Sequence, residues 1–274
     1  MSCLPVDLPA GTILVAAPHM DDEVLACGGL IAQLDDPSRV HVVYATDGTK
    51  SPAPIIPGRD RIAADHGKRR CDESVAAMGV LGVPAANLHF LGLPEAELPR
   101  HEPELARRLV HWIRDLAPAV VLCPFRYDRH PDHLAVNRVV TEAKRAGQTH
   151  AELLEYFVYH RSRLLPRGDV RAYLRPQCLV KVDIARVAER KRAALACFRT
   201  QTTRYYEWQM RPILQPALLD EECARPEQFL RFDPALPGAR VFTSSAMWIQ
   251  VANRIEPSLV RWKYLFKSRV HRAR

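Results

Sequence analysis

The sequence predicts an α/β fold, a Rossmann-like sandwich in which a mainly parallel sheet carries helices on both faces. Two observations lead to this prediction. Short apolar runs of strand length alternate with longer segments of helical periodicity, and such alternation is typical of parallel sheets. Two of the apolar runs also end in clusters of histidine and aspartate, as strands do when their carboxyl ends form a binding crevice.

The elements follow from the pattern in chain order. Residues 12–17 are apolar, too few for a helix and bounded by Pro18, so they are predicted to form the first strand. The predicted strands are 12–17, 40–45, 87–92, 119–123, 155–159 and 177–183, and the predicted helices are 23–34, 66–81, 103–116, 132–146 and 187–198. No G-x-G-x-x-G motif follows the first strand, and Gly28-Gly29 lies inside a helical pattern. We therefore reject a dinucleotide-binding interpretation and expect close packing at these two glycines.

The two clusters predict a site for a divalent metal ion. The first is His19-Met20-Asp21-Asp22-Glu23, and the second, after the fourth strand, is His130-Pro131-Asp132-His133. Hydrolytic zinc sites take three protein ligands from histidine, aspartate and glutamate and leave one position open. His19, Asp22 and His133 are the predicted ligands, with Zn²⁺ as the expected ion and iron or another divalent metal as the alternative.

The remaining residues of the clusters are predicted to be catalytic. Asp21 is expected to be the general base toward water and then the acid toward a leaving amine. His130, as an imidazolium, is expected to stabilise the developing oxyanion. Asp132 is expected to orient that imidazole or to brace a metal ligand. Asp22 and Asp132 also suit the first turn or cap of a helix, a structural role that is compatible with the catalytic one.

These motifs resemble those of the LmbE/PIG-L-like zinc-dependent N-acetylglucosaminyl deacetylases, which carry A-H-P-D-D-E after the first strand and H-P-D-H after a later one. The resemblance covers about residues 12–160. It includes an R-x-x-E stretch at Arg70-Cys71-Asp72-Glu73 and the strand end Thr46-Asp47-Gly48. Met20 departs from the family pattern, which commonly has proline at this position, and no ligand is lost by the change.

The resemblance implies removal of the N-acetyl group from an N-acetylglucosamine-type amino sugar in a glycoconjugate or lipid-linked precursor. It further implies that Arg70 holds substrate hydroxyl groups, and Asp47 is a second candidate for substrate binding. For Arg70 the alternative is an exposed basic turn with Lys68 and Arg69. Two other functions stay open: a metal-dependent hydratase of an unsaturated carboxylic acid, and a scaffold that keeps a structural metal. The spare carboxylate of Asp21 argues against the scaffold.

Composition and cysteine usage limit the protein class. The chain has 274 residues and 47% hydrophobic content, enough for a sizeable core, and we expect one deacetylase-like domain over residues 1–260. The sequence shows neither an apolar run of transmembrane length nor a signal peptide. Seven cysteines without a C-x-x-C motif predict reduced thiols and a cytoplasmic protein. The alternative location is peripheral, at the inner face of the membrane.

Two segments stand apart from the alternating pattern. Residues 199–240 contain five prolines together with Tyr205, Tyr206 and Trp208, and they are predicted to form an irregular substrate-side region whose aromatic side chains contact ligand or anchor the loop. Residues 261–274 hold six basic residues and no acid, within a net charge of +8. This amphipathic tail predicts contact with an anionic membrane, and the alternative is a helix packed on the domain. No nucleic-acid motif accompanies the charge, so nucleic-acid binding is not expected. The sequence does not decide whether the protein forms an oligomer.

Overall fold

A seven-stranded sheet forms the centre of the described molecule. The computed structural model describes residues 8–52, 59–207, 209–233, 241–243 and 255, without the side chains of residues 59–64. The strands are β1 Ile13–Ala17, β2 Val40–Thr46, β3 Leu88–Leu93, β4 Val120–Pro124, β5 Glu152–Tyr156, β6 Leu179–Val182 and β7 Glu227–Arg231. The α-helices are α1 Asp22–Ala32, α2 Arg59–Val80, α3 Glu102–Leu116, α4 Pro131–Arg145, α5 Ala188–Ala196, α6 Arg199–Thr202 and α7 Pro216–Ala224.

Different helices cover the two faces of the sheet. Helices α1, α2 and α5 share one apolar cluster with strand residues such as Val15 and Leu122. Helices α3 and α4 share the other cluster with Leu14 and Val121. Because successive side chains of a strand point to opposite faces, each central strand contributes to both clusters. The predicted α/β sandwich with helices on both faces is confirmed.

The strand order places the two site-bearing strands side by side in the sheet. The order is β3-β2-β1-β4-β5-β7-β6, and β1 pairs in parallel with both β2 and β4. The chain therefore proceeds outward in one direction from β1 to β3 and in the other direction from β4 to β5. Ligand sites of open α/β sheets lie at such a reversal, outside the carboxyl ends of the strands. The segments after β1 and β4 carry the two clusters.

Two predicted elements differ from the structure in their limits. Strand β5 is Glu152–Tyr156 rather than 155–159, because Glu155 within it is buried and its charge is neutralised by the Arg126 guanidinium. A buried acid interrupts the apolar pattern from which strands are predicted. Helix α2 begins at Arg59 rather than at residue 66, because its first two turns are mostly polar in sequence and show no apolar face.

The structure corrects the prediction that residues 199–240 are irregular. Helices α6 and α7 and strand β7 lie in this region, and β7 is antiparallel to both β5 and β6. Pro216 occupies the first turn of α7, where its fixed φ and missing N–H are tolerated. The prolines therefore mark element starts and turns rather than a continuous loop. Residues 208 and 234–240 lie outside the described part.

A buried ion pair joins β7 and α5 to the middle of α1. Lys191 Nζ donates to Glu227 Oε1 at 2.7 Å and to the Leu25 carbonyl at 2.8 Å. The same Glu227 carboxylate accepts the N–H groups of Gly29 and Leu30 at 2.6 and 2.7 Å. At Gly29 an added Cβ would lie 2.3 Å from Ile184 Cγ2. The close packing expected at the paired glycines is therefore present, and it lets the ion pair approach α1.

The described residues bear on the predictions about membrane-spanning segments and cysteines, but not on the prediction about the tail. Of the helices described, none combines the length and apolar character needed to cross a membrane. The six cysteines within the described residues are free thiols, as expected for reduced cysteines. The tail, residues 261–274, lies outside the described residues, and its membrane contact stays a prediction.

Candidate metal and catalytic site

Helices α1 and α4 both begin at the switch point, and their first turns carry the predicted site residues. Helix α1 begins at Asp22, directly after the loop that follows β1. Helix α4 begins at Pro131, and its N-cap is His130, whose Nδ1 accepts the N–H of Asp132 at 3.2 Å. The fold therefore brings together two clusters that are more than a hundred residues apart in the chain.

Three side-chain atoms at this point form a nearly equilateral triangle. His19 Nδ1 lies 3.2 Å from Asp22 Oδ2 and 3.2 Å from His133 Nε2. Asp22 Oδ2 lies 3.3 Å from His133 Nε2. In a tetrahedral zinc site with bonds of about 2.0–2.1 Å, ligand atoms stand about 3.3 Å apart. The three residues thus fit a divalent ion with one face of the tetrahedron supplied by the protein.

A carboxylate holds each of the two histidines by its other ring nitrogen. Asp132 Oδ2 lies 3.1 Å from His19 Nε2, and Asp128 Oδ2 lies 3.2 Å from His133 Nδ1. Such carboxylate–histidine pairs orient metal ligands and increase their basicity. The Asp132 carboxylate is closer to His19 than to His130, whose Nδ1 lies 3.9 Å away. Asp128 lies outside the two sequence motifs, although its position two residues before His130 is a local signal.

A second set of atoms is also near enough to hold a metal. It consists of one ring nitrogen from each of three histidines, His19, His130 and His133, and these three atoms lie within 4.8 Å of one another. This set is wider than the triangle that includes Asp22, and it lacks an anionic ligand. Because His130 Nδ1 accepts a backbone N–H, its ring proton is assigned to Nε2. Burial and the adjacent His19 and His133 lower the pKa of His130 to about 3, which favours a neutral imidazole over the predicted imidazolium.

Asp21 lies next to the ligand triangle on a strained backbone. Its φ is 134° and its ψ is −26°, a region that non-glycine residues rarely adopt and that is enriched at active sites. Glu23 holds this conformation by accepting the Asp21 N–H at 3.0 Å and the Tyr44 hydroxyl at 2.9 Å. Burial raises the pKa of Asp21 to about 7 against the opposing effect of Arg70.

Arg70 is a buried cation at the wall of the site. Its side chain is 1% exposed, and its Nη2 donates to the Met20 carbonyl. Guanidinium nitrogens of Arg70 lie 3.6 Å from Asp21 Oδ2 and 3.6 Å from Glu95 Oε1. Its Nε and Nη1 have no hydrogen-bond partner among the residues that the structure describes. Buried donors of this kind require an explanation. Because Arg70 is buried, the alternative prediction that it belongs to an exposed basic turn is wrong.

Glu95 and Asp47 lie in the loops that follow β3 and β2. Glu95, which is not among the predicted site residues, lines the cavity and accepts the Lys50 N–H at 2.5 Å. Asp47 Oδ1 accepts the N–H groups of Thr49 and Glu95 at 3.1 and 3.2 Å. Asp47 is not among the described residues that line the cavity. Its observed contacts position the Glu95 loop.

A cavity of about 450 Å³ connects the site to a second group of residues. The volume falls within the range of about 300–1,000 Å³ that is common for small-molecule sites. His19, Asp21 and His130 line the part next to the ligand triangle, and His160 and Glu222 line another part. The cavity therefore has room for more than the group that would react at the triangle.

Two of the aromatic residues in the 199–240 region contact helix α2. Tyr206 Oη lies 3.0 Å from His66 Nδ1, and the Arg69 guanidinium lies 5.8 Å from the centre of the Tyr205 ring. Both residues are thus seen in anchoring contacts, the second of the two roles predicted for these aromatics. Tyr159, outside this region, lies at the site itself, and its ring stacks on that of His130 at 5.8 Å between centroids.

The buried ring of His160 leads to a prediction about pH and stability. Burial and Arg171 lower its pKa from 6.5 to about 4, Arg161 acts in the same direction, and Asp169 opposes them; Glu222 also faces the ring. The unfolded chain therefore binds this proton more tightly than the folded one, so stability present above pH 6.5 is lost as the pH falls toward 4.

At pH 4, the preferred protonation of His160 in the unfolded chain should lower the free energy of unfolding by roughly 3 kcal/mol. Urea unfolding of His160→Gln between pH 7 and pH 4 should show a shallower loss of unfolding free energy than the parent protein shows. His150→Gln, at an exposed position, should keep the parent slope. Equal slopes for the parent and His160→Gln would contradict the assignment.

The fold and site define an α/β enzyme with a candidate metal centre at its topological switch point. The family model PIG-L, described as GlcNAc-PI de-N-acetylase, matches residues 14–144. The chain is 30% identical over 245 residues to the 1D-myo-inositol 2-acetamido-2-deoxy-alpha-D-glucopyranoside deacetylase of Nocardia farcinica (strain IFM 10152), covering 70% of this chain and 81% of the relative. The protein belongs to the PIG-L family.

Further similarities support the same placement. The 2'-N-acetylparomamine deacetylase of Streptomyces fradiae is 28% identical over 216 residues, covering 71% of this chain and 75% of the relative. The structure of N,N'-diacetylchitobiose deacetylase from Pyrococcus horikoshii superposes with a TM-score of 0.60 at 21% identity, covering 83% of this chain and 87% of the other. A 4-carboxy-2-hydroxymuconate hydratase from Pseudomonas putida KT2440 gives 0.55 at 18% identity, covering 83% and 98%. These structural likenesses establish the fold.

Proposed function

We propose that this protein is a metal-dependent hydrolase that removes the N-acetyl group from an N-acetylglucosamine-type amino sugar. The observation that carries the proposal is the triangle of His19 Nδ1, Asp22 Oδ2 and His133 Nε2 with the Asp21 carboxylate beside it. A structural metal needs no additional carboxylate, whereas hydrolysis needs a base. Two relatives in sequence are deacetylases whose names give acetylated amino-sugar substrates.

His19, Asp22 and His133 would hold the metal, and Zn²⁺ suits a set of two imidazoles and one carboxylate. When bound, the metal supplies Lewis acidity toward the amide carbonyl and toward water. Asp132 and Asp128 keep the two histidines in the tautomers that direct His19 Nδ1 and His133 Nε2 to the ion. A metal site of this kind is loaded by neutral histidines and releases protons as it forms.

The proton transfers are assigned to Asp21. Its carboxylate takes a proton from the attacking water and delivers it to the sugar nitrogen as the C–N bond breaks, so that acetate and the free amine leave. His130 donates a hydrogen bond from Nε2–H to the carbonyl oxygen as negative charge develops there. The hydrogen bond from the Asp132 N–H to His130 Nδ1 keeps that donor in place.

Substrate hydroxyl groups are assigned to Arg70 and Glu95. The unpaired Nε and Nη1 of Arg70 donate to hydroxyl oxygens, and the Glu95 carboxylate accepts from hydroxyl groups. Asp47, which sequence analysis gives as a second substrate-binding residue, is assigned a positioning role through its hydrogen bond to the Glu95 N–H. The membrane contact of residues 261–274 stays a separate prediction, refuted if their deletion leaves binding to anionic vesicles unchanged.

The brace on His133 leads to a prediction about metal affinity. Asp128→Asn should weaken zinc binding by about 10- to 100-fold, the usual effect of losing such a partner. Competition with a chromophoric chelator measures the change. Asp36→Asn, in which the exposed N-cap of a turn is altered, should bind zinc as the parent protein does. Parent-like affinity in Asp128→Asn would show that His133 is not a ligand held by Asp128.

The experiment that tests the activity is mass spectrometry of N-acetylglucosamine compounds after incubation with the zinc-loaded protein. Free, nucleotide-linked, lipid-linked and cyclitol-linked forms make up the panel. Loss of an acetyl group from one of them is expected. If none loses acetyl while an unsaturated carboxylic acid gains water, the hydratase becomes the better account of this fold and site.

A further inference from the structure

We infer that His160 and Glu222 form a second subsite of the cavity, which receives an amine-bearing ring attached to the acetylated sugar. The inference rests on the proposed function, because it identifies the class of aglycone on the substrate. It concerns residues that the proposed chemistry does not use.

The two residues come from elements that flank the reacting site. His160 follows the carboxyl end of β5, next in the sheet to β4 and its cluster. Glu222 lies on α7, and Leu218, one turn earlier, is on the same side of that helix. All three line the cavity that His19 and Asp21 also line. A ligand with its acetamido group at Asp21 can therefore extend toward Glu222 within one continuous space.

His160 is a buried polar side chain that makes no side-chain hydrogen bond to any residue the structure describes. It is 3% exposed, and neither ring nitrogen has a hydrogen-bond partner in that part of the chain; the Val158 backbone favours the protonated ring as the last of the causes that act on its pKa. Glu222 Oε1 lies 3.6 Å from His160 Nε2, and Asp169 Oδ2 lies 3.9 Å from it. Buried polar groups in native proteins are rarely left unpaired, so the unsatisfied ring beside the Glu222 carboxylate points to a ligand group that hydrogen-bonds to both.

The charges around the subsite favour a cation. Arg161 forms an ion pair with Glu221, and Arg171 pairs with Asp169 at 2.8 Å. Among the described residues, no lysine or arginine lies within ion-pairing distance of Glu222. The unpaired charge at this end of the cavity is therefore that carboxylate, which attracts an ammonium group and repels phosphate or carboxylate. A ring that carries an amine supplies the missing cation and can also donate a hydrogen bond to the imidazole.

Apolar side chains also line the subsite. Ile213, Leu214 and Leu218 line the cavity alongside Glu222. Saturated rings present C–H groups at their faces and polar groups at their edges, so apolar side chains suit the faces while Glu222 and His160 suit an edge. The combination matches an aminocyclitol or amino sugar better than a nucleotide or a lipid phosphate.

Two substrates that share the acetylated sugar test the inference. In 2'-N-acetylparomamine the attached cyclitol carries amines, and in 1D-myo-inositol 2-acetamido-2-deoxy-alpha-D-glucopyranoside it carries hydroxyl groups only. The parent protein should favour the amine-bearing compound in kcat/KM by about 10- to 100-fold, the range for a hydrogen bond to a charged group. Glu222→Gln should reduce that ratio to near one, and Glu222→Asp, which keeps the charge, should retain part of it.

Asp220→Asn provides the matched control, because this exposed neighbour pairs with Arg192 at the surface and should leave the ratio unchanged. A ratio that is the same in the parent protein and in Glu222→Gln would overturn the subsite, as would an equal decrease for both substrates.

A binding measurement separates this inference from the activity. If neither substrate loses acetyl, the proposed function fails, and the subsite is then tested by calorimetric titration with paromamine. Binding should be about tenfold or more weaker in Glu222→Gln than in the parent protein. Equal affinities, with both proteins folded by circular dichroism, would overturn the subsite whatever the reaction is.

Discussion

Asp21→Asn should lower kcat for acetate release by about 10²- to 10⁴-fold, the usual contribution of a positioned general base. The amide keeps the shape of the side chain but cannot accept the proton from water. Asparagine also tolerates a positive φ better than most residues, so the backbone at φ 134° should survive the change. The zinc content, measured by mass spectrometry of the metal, should remain at the level of the parent protein.

The variant Asp22→Asn provides the contrast to Asp21→Asn. It alters an atom of the ligand triangle, so it should lose metal and activity together, whereas Asp21→Asn should lose activity alone. Activity of Asp21→Asn within a few-fold of the parent protein would exclude Asp21 as the base. Joint loss of zinc and activity in Asp21→Asn would move Asp21 into the ligand set.

The largest expected effect on stability comes from Lys191→Met. Lys191 is fully buried, and its loss leaves the Glu227 carboxylate without a counter-ion inside the protein. Removal of one partner of a buried ion pair typically costs about 3–5 kcal/mol. The Leu25 carbonyl of α1 also loses a donor. Urea unfolding followed by circular dichroism should therefore show a decrease of that size in the free energy of unfolding.

The adjacent Arg192 supplies the control for Lys191. It lies on the same helix and pairs with Asp220 at 2.7 Å, but its side chain is 42% exposed. Exposed ion pairs contribute about 0–1 kcal/mol, so Arg192→Met should unfold nearly as the parent protein does. A loss below about 1 kcal/mol for Lys191→Met would mean that the pair does not stabilise α1 as the structure indicates.

Local sequence pattern was sufficient for the part of the fold that carries the ligands. The apolar runs before His19 and before the His130 cluster end at the carboxyl edge of a parallel sheet, and the rule for open α/β sheets then places both clusters together. His19, Asp22 and His133 lie close together as expected, and their binding of a metal stays a prediction. These features could be predicted because each depends on a strand and the few residues after it.

Features that depend on distant pairing could not be predicted in this way. Strand β7 lies between β5 and β6 because of antiparallel pairing across more than forty residues, and buried Glu227 gives it no apolar pattern. Lys191 reads as a solvated residue in sequence until its partner is known. Asp128 and Glu95 are single acids in loops, and only the folded chain shows that one contacts His133 and the other lies beside Arg70.

The most direct test of the account is a zinc titration of metal-free protein with acetate release as the readout. The substrate is an N-acetylglucosamine compound identified in the mass-spectrometry panel. The rate of acetate release should rise in proportion to added zinc and reach its maximum at one zinc ion per protein chain. The His19→Ala variant should stay inactive throughout. Acetate release that is independent of zinc, or full activity in His19→Ala, would contradict a catalytic metal held by His19, Asp22 and His133.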